Sequence, residues 1–149
     1  MRKNEEKAVA FITGASRGIG YAITKSVAPL CSHLLVASRT KRNITSAAKR
    51  LTEETECTVH TMWGDLANGR SFANAASQLV ATSTKRLDLL VLDAGYFVEG
   101  SLAAIPDADF ERNMLVNCHS AHYVVSALLP YLKKSRMGRI VIIGATAAY

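Results

Sequence analysis

Thr13-Gly14-Ala15-Ser16-Arg17-Gly18-Ile19-Gly20 is the stretch whose residue types and spacing are suited to holding an anion. A glycine at 14 lets the chain turn sharply as it leaves a strand, and one at 18 removes the Cβ that would keep backbone amides from a phosphate. A glycine at 20 lets the next helix pack closely on the sheet. The apolar run Val9-Ala10-Phe11-Ile12 before the turn reads as a strand, and the amphipathic run after it as a helix. That order places a pyrophosphate on a helix N-terminus, where amides and the positive end of the helix dipole meet the charge.

With its TGxxxGxG spacing, this octapeptide resembles the fingerprint of the short-chain dehydrogenase/reductase family, and the likeness runs from Ala8 to Thr146. The resemblance implies reversible hydride transfer between a nicotinamide dinucleotide and the carbonyl or alcohol carbon of a small molecule. It also implies that Gly14, Ser16, Arg17, Gly18, Ile19 and Gly20 bind the cofactor. The end of the second strand reads the cofactor's 2′-position, where an acid bonds ribose hydroxyls and a base accepts a 2′-phosphate. This chain has Ser38-Arg39 there and no acid, and Arg17 is the second basic residue that NADP-using members tend to carry. Guanidinium geometry suits a phosphate, so NADP(H) is expected over NAD(H).

Asp65 and Leu66 stand where the family meets adenine with a carboxylate and a backbone amide. A strand-end turn Asp is common in any protein, and its position inside the pattern is what points to the cofactor. Asp93-Ala94-Gly95 stands where the family has Asn-Ala-Gly against the adenosine ribose. An Asp keeps an acceptor and loses the amide donor, and the turn is expected to survive the exchange. Asn117 matches the helix Asn that helps hold a water in the family's proton relay.

These residues need a scaffold, and the pattern supplies one. Helices are expected over Gly18–Leu30, Thr45–Thr55, Ser71–Thr82 and, in one long register, Phe110–Leu129, where Pro130 ends or kinks the element. Strands are expected at Leu34–Ala37, Thr58–Trp63, Leu87–Leu92 and Ile140–Ile143. Alternating strands and helices make a doubly wound α/β domain with a parallel sheet. The resemblance adds the strand order 3-2-1-4-5, with the cofactor between the first and fourth strands. The whole of 1–149 reads as one Rossmann-like dinucleotide-binding domain, incomplete at its C-terminal side relative to the family.

Composition fits that reading. Hydrophobic residues are 49% and charged ones 20% of the chain, which excludes disorder. The net charge of +6 suits an anionic partner, yet the Lys and Arg residues are scattered, so a phosphorylated cofactor is expected and nucleic acid is not. The start of the chain is expected to be neither a signal peptide nor a membrane span, and a cytoplasmic protein without a membrane partner is expected. Cys31, Cys57 and Cys118 lack CxxC spacing and are expected to be reduced, buried small hydrophobes. His119 and His122 have no evident third ligand, so they are expected at a surface or interface and no metal is expected.

In the family the fifth strand leads to a catalytic Ser, and a Tyr and Lys in YxxxK follow. Here Ala145 stands at the Ser position, Thr146 carries the nearest hydroxyl, and Tyr149 comes too soon to be the catalytic Tyr. Two readings stand. The first is the cofactor-binding part of an NADP-dependent reductase, a homo-oligomer when complete, with Asn117 and Thr146 nearest the chemistry. The second is a non-catalytic dinucleotide-binding or regulatory protein.

Overall fold

The computed structural model describes residues 7–101 and 103–145. Strand β1 (Ala8–Thr13) leads through the glycine turn to helix α1 (Gly18–Val27), and a 3-10 turn at Ala28–Leu30 delivers β2 (Cys31–Ser38). Then follow α2 (Lys41–Glu54), β3 (Thr58–Trp63), α3 (Gly69–Ser83) and β4 (Leu89–Leu92). Helix α4 (Asp107–Met114), a π turn (Leu115–His119), α5 (Ser120–Leu132) and β5 (Arg139–Ile142) complete the order. The five strands form one sheet in the order β3-β2-β1-β4-β5 with every pairing parallel, so the doubly wound architecture stands as expected.

The central strands are continuously apolar because both faces are covered. Phe11, Leu35 and Leu90 point into a core with Phe72, Val80, Val124 and Leu128 from α3 and α5. Ile12, Val36 and Val91, one residue along in each strand, enter the opposite core with Ile44 and Leu51 from α2. A period of two splits each strand between the layers, and burial drives both sides. Among the described residues, no helix is long and apolar enough to cross a membrane.

Several expected boundaries move, each for a local reason. β2 starts at Cys31, three residues early, because pairing with β1 captures Cys31 and His33 despite Ser32 and His33 being polar. α2 starts at Lys41 because Thr40 caps it, its hydroxyl accepting from the Asn43 N–H at 3.4 Å. Leu87 falls outside β4: it is buried, but its N–H donates to the Tyr131 carbonyl of α5.

The long element expected over Phe110–Leu129 is three pieces, and its buried stripe is not the expected one. Val116, Ser120, Val124, Leu128 and Leu132 face the core, whereas Phe110, Met114 and Cys118 are exposed. Helix α4 buries none of its residues, and burial begins only inside the π turn, at Val116. Cys118 rides on the outside of that turn, which corrects the expectation of three buried cysteines. Pro130 neither ends nor visibly stops the helix, which continues to Leu132 with Leu128 and Leu132 anchored in the core. At the other end of α5, Gly69 lets α3 approach, since a Cβ there would lie 3.3 Å from Ser120 Cα.

Candidate functional site

A cleft of about 550 Å³ opens at the carboxyl ends of β1, β2, β3 and β4. It continues past Asp93, Gly95 and Tyr96 into a second cleft of about 610 Å³ beside Asn117 and Ala145. Strand ends converge here because a parallel sheet delivers every βα turn to one edge.

The glycine turn forms one wall. Gly14 has φ +73° and Gly18 φ +57°, the left-handed region that side-chain-bearing residues rarely adopt. A Cβ on Gly18 would meet nothing within 4 Å, so the turn is open on its cleft side. Gly20 seats α1 against the ends of two strands: its missing Cβ makes room for the Gly14 carbonyl after β1, which would lie 2.5 Å away, and for Asp93 Oδ2 after β4 at 2.6 Å. Arg17 occupies the N-cap of α1 in extended backbone and makes no side-chain cap, leaving the first-turn amides to the cleft. Ser16 and Ile19 also line it, and Ile19 is 63% exposed.

Thr13 holds the two central strands together at the rim. Its Oγ1 accepts from the N–H groups of Asp93 at 3.1 Å and Ala94 at 3.2 Å. Asp93 therefore faces the glycine turn and accepts from the Gly20 N–H, while burial pushes its carboxyl above the usual range against that bond. The turn expected to survive the Asn-to-Asp exchange does so, with Ala94 and Gly95 lining both clefts.

At the end of β2, Ser38 is buried and its hydroxyl donates to the Thr40 carbonyl at 3.0 Å. Arg39 is exposed and lines the same cleft as Arg17, with no carboxylate between them on β2. After β3, Asp65 and Leu66 form the opposite wall. Asp65 Oδ1 accepts from the Ala67 N–H at 2.9 Å, and Oδ2 from Arg112 Nη2 at 2.7 Å. Burial alone would raise this carboxyl, yet Arg112 and the Ala67 amide hold it below the ordinary range.

Asn117 sits in the π turn and grips the loop that leaves β4. Its Oδ1 accepts from the Tyr96 N–H at 2.8 Å, and its Nδ2 donates to the Tyr96 carbonyl at 2.7 Å and to Asn113 Oδ1 at 3.0 Å. Thr146 lies outside the described residues. His119 and His122 are exposed, as expected. Among the described residues, no three His, Cys, Asp or Glu side chains gather in a way that could hold a metal ion.

The structure brings the expected cofactor residues other than Gly20 to line one cleft, and Gly20 is buried. Sequence reasoning missed Arg112, Tyr96 and Asn43, which also line it. Arg112 belongs to an acidic, amphipathic helix and carries no local signal, since its ion pair with Asp65 arises from the approach of α4 to the turn after β3.

Comparison with known proteins bears on this geometry. The family model described as short chain dehydrogenase matches residues 8–149. The chain belongs to that family. A curated member, the fatty acyl-CoA reductase of Acinetobacter baylyi, is 31% identical over 153 residues, covering 97% of this chain and 49% of its own length. Among solved structures, L-sorbose reductase from Gluconobacter frateurii, complexed with NADPH and L-sorbose, superposes with TM-score 0.90 at 25% identity. That match covers 99% of this chain and 56% of the reductase. A 3-oxoacyl (acyl-carrier-protein) reductase from Agrobacterium tumefaciens with NADP bound matches at 26% identity and TM-score 0.82, over 93% of this chain and 53% of that one. The chain thus spans about half the length of the short chain dehydrogenases it resembles.

Proposed function

We propose that this chain is the NADP(H)-binding part of an oxidoreductase acting on a small carbonyl or alcohol substrate. The carrying observation is that Arg17 and Arg39 line one cleft with the glycine turn, and that no acid stands at the end of β2. The residues fit the cofactor on physical grounds. The turn is open where a Cβ on Gly18 would project, and the uncapped amides of α1 would meet an anion there with no acidic residue in the first turn to compete. When bound, the cofactor supplies or accepts a hydride.

The chain's own residues bind and orient. Arg17 and Arg39 offer guanidinium groups to a 2′-phosphate, and Ser38 shapes the turn that carries Arg39. Asp65 and Leu66 receive the adenine. Asp93, Ala94 and Gly95 form the floor beside the ribose. Asn117 holds the Tyr96 segment in place at the substrate side, and Thr146 is the nearest hydroxyl to the position that bears Ser in the family. We place the protein in the cytoplasm and expect a homo-oligomer, as the family resemblance suggests.

Titration of purified protein with NADPH and NADH tests the reading. NADPH is expected to bind more tightly, and Arg39→Ala to cost it roughly tenfold or more while leaving NADH nearly unchanged. No affinity for either dinucleotide overturns the proposal. A second reading, dinucleotide binding without turnover, draws on Ala145 at the position of the family's Ser. It predicts tight NADPH binding with no oxidation of NADPH across a panel of ketones and aldehydes.

A further inference from the structure

The Asp65–Arg112 pair joins the turn after β3 to α4 in the lining of the cleft. Both oxygens of Asp65 are held, Oδ1 by the Ala67 amide at 2.9 Å and Oδ2 by Arg112 Nη2 at 2.7 Å. A carboxylate gripped at both oxygens cannot rotate, and each oxygen keeps a second lone pair. Arg112 is itself held. Its guanidinium lies over the Tyr96 ring, 5.2 Å from the centroid, and the Tyr96 hydroxyl donates to Asp109 Oδ1 at 2.9 Å. Both Asp65 and Arg112 line the cleft, so the fixed acceptors belong to the surface a ligand would meet.

We infer that Arg112 is a positioning residue for base selectivity: by pinning Asp65 it fixes an acceptor that favours the exocyclic amine of adenine over the carbonyl oxygen of hypoxanthine. The inference rests on the reading of this cleft as a dinucleotide site. Its chemistry is simple. An amine at the 6-position of the purine donates to the carboxylate, whereas a carbonyl there presents a second acceptor and is repelled. Without Arg112, Asp65 Oδ2 is free to turn toward water, and the distinction between the two bases weakens. The alternative role, a cation attracting the cofactor's phosphates, would act on both dinucleotides alike, since they carry the same phosphates.

The test compares dissociation constants for NADPH and for its reduced hypoxanthine analogue in the unaltered protein, Arg112→Met, Asp65→Asn and the double variant. The unaltered protein is expected to prefer adenine about tenfold. Arg112→Met should bring the two within about twofold by weakening NADPH alone, Asp65→Asn should do so because its amide offers the hypoxanthine carbonyl a donor as well as the amine an acceptor, and the double variant should bind NADPH no more weakly than the weaker single one, because both act through one contact. If Arg112→Met does not give a cooperative melt, Arg112→Gln takes its place with the same expectations. Equal weakening of both dinucleotides by loss of Arg112, or additive losses in the double variant, overturns the inference. An unaltered protein that binds both without preference also overturns it, and leaves the proposed function standing. Absence of binding to either overturns both.

Discussion

Asp93 Oδ2 sits 2.6 Å from where a Cβ on Gly20 would stand, and the same Cβ would lie 2.5 Å from the Gly14 carbonyl oxygen. One missing carbon therefore lets three segments meet: the end of β1, the start of α1 and the end of β4. Neither the Gly14 backbone nor the anchored Asp93 can withdraw cheaply. Gly20→Ala is expected to destabilise the fold by about 2–3 kcal/mol, at the upper end of overpacking costs, and to abolish dinucleotide binding. Urea denaturation and NADPH titration read the two effects.

Burial pushes the Asp93 carboxyl above its usual range, with the Gly20 N–H opposing, so the folded chain binds a proton more readily there than the unfolded chain does. The sign follows from linkage: Asp93 supports the fold while protonated, and this support is lost as pH rises from the ordinary carboxylate range through its raised value. Asp93→Asn, which removes the charge and keeps the shape, is expected to raise stability at neutral pH and to flatten the change in that window. Melting temperatures across pH 4 to 8 would show it. A variant that melts lower at pH 7 than the unaltered protein would refute the expectation.

His60 shows the opposite sign. Burial first, and the neighbouring His33 second, hold its imidazole below the ordinary histidine range. His60 contributes stability while neutral, which is present above the ordinary range and is lost as pH falls through its lowered value. The ring nitrogens His33 Nδ1 and His60 Nε2 lie 3.1 Å apart and bridge β2 to the edge strand β3. Acidification below the ordinary histidine range should therefore loosen β3 first. Hydrogen exchange at Thr58–Trp63 should rise on acidification, and His60→Gln should suppress the rise.

Thiol chemistry separates the three cysteines. Burial pushes the Cys31 thiol up to about 11, with Cys57 and Asp88 adding to the effect. The Cys57 Sγ donates to the Ala28 and Cys31 carbonyls, each at 3.2 Å. Cys118 alone is exposed among them. Native protein should take up one equivalent of iodoacetamide at Cys118, and the unfolded chain three, by intact mass. Labelling of Cys31 or Cys57 at a comparable rate in the native state would contradict this packing.

The sheet was legible because its strands are buried on both faces, so Val9–Ile12 and Leu34–Ala37 announce themselves by apolarity alone. The glycine turn was legible because its residue types follow from backbone conformation at two positions. What escaped depends on tertiary approach. Arg112 meets Asp65 across 47 residues, and nothing near either one encodes the meeting. The core face of the long helical element escaped because the apolar Phe110 and Met114 set the expected register, and α4 packs neither of them into the core. Cys118 was misjudged with it.

Leu115–His119 acts as a one-residue insertion absorbed without breaking the helix. Deleting a single residue there would return the segment to ordinary winding and leave Val124, Leu128 and Leu132 in the core, because the wide turn already absorbs the extra residue. What would be lost is the display of Asn117, which grips Tyr96 from inside the turn. The segment therefore keeps the shape of the site separate from the packing of the sheet, so that one could change without unseating the other.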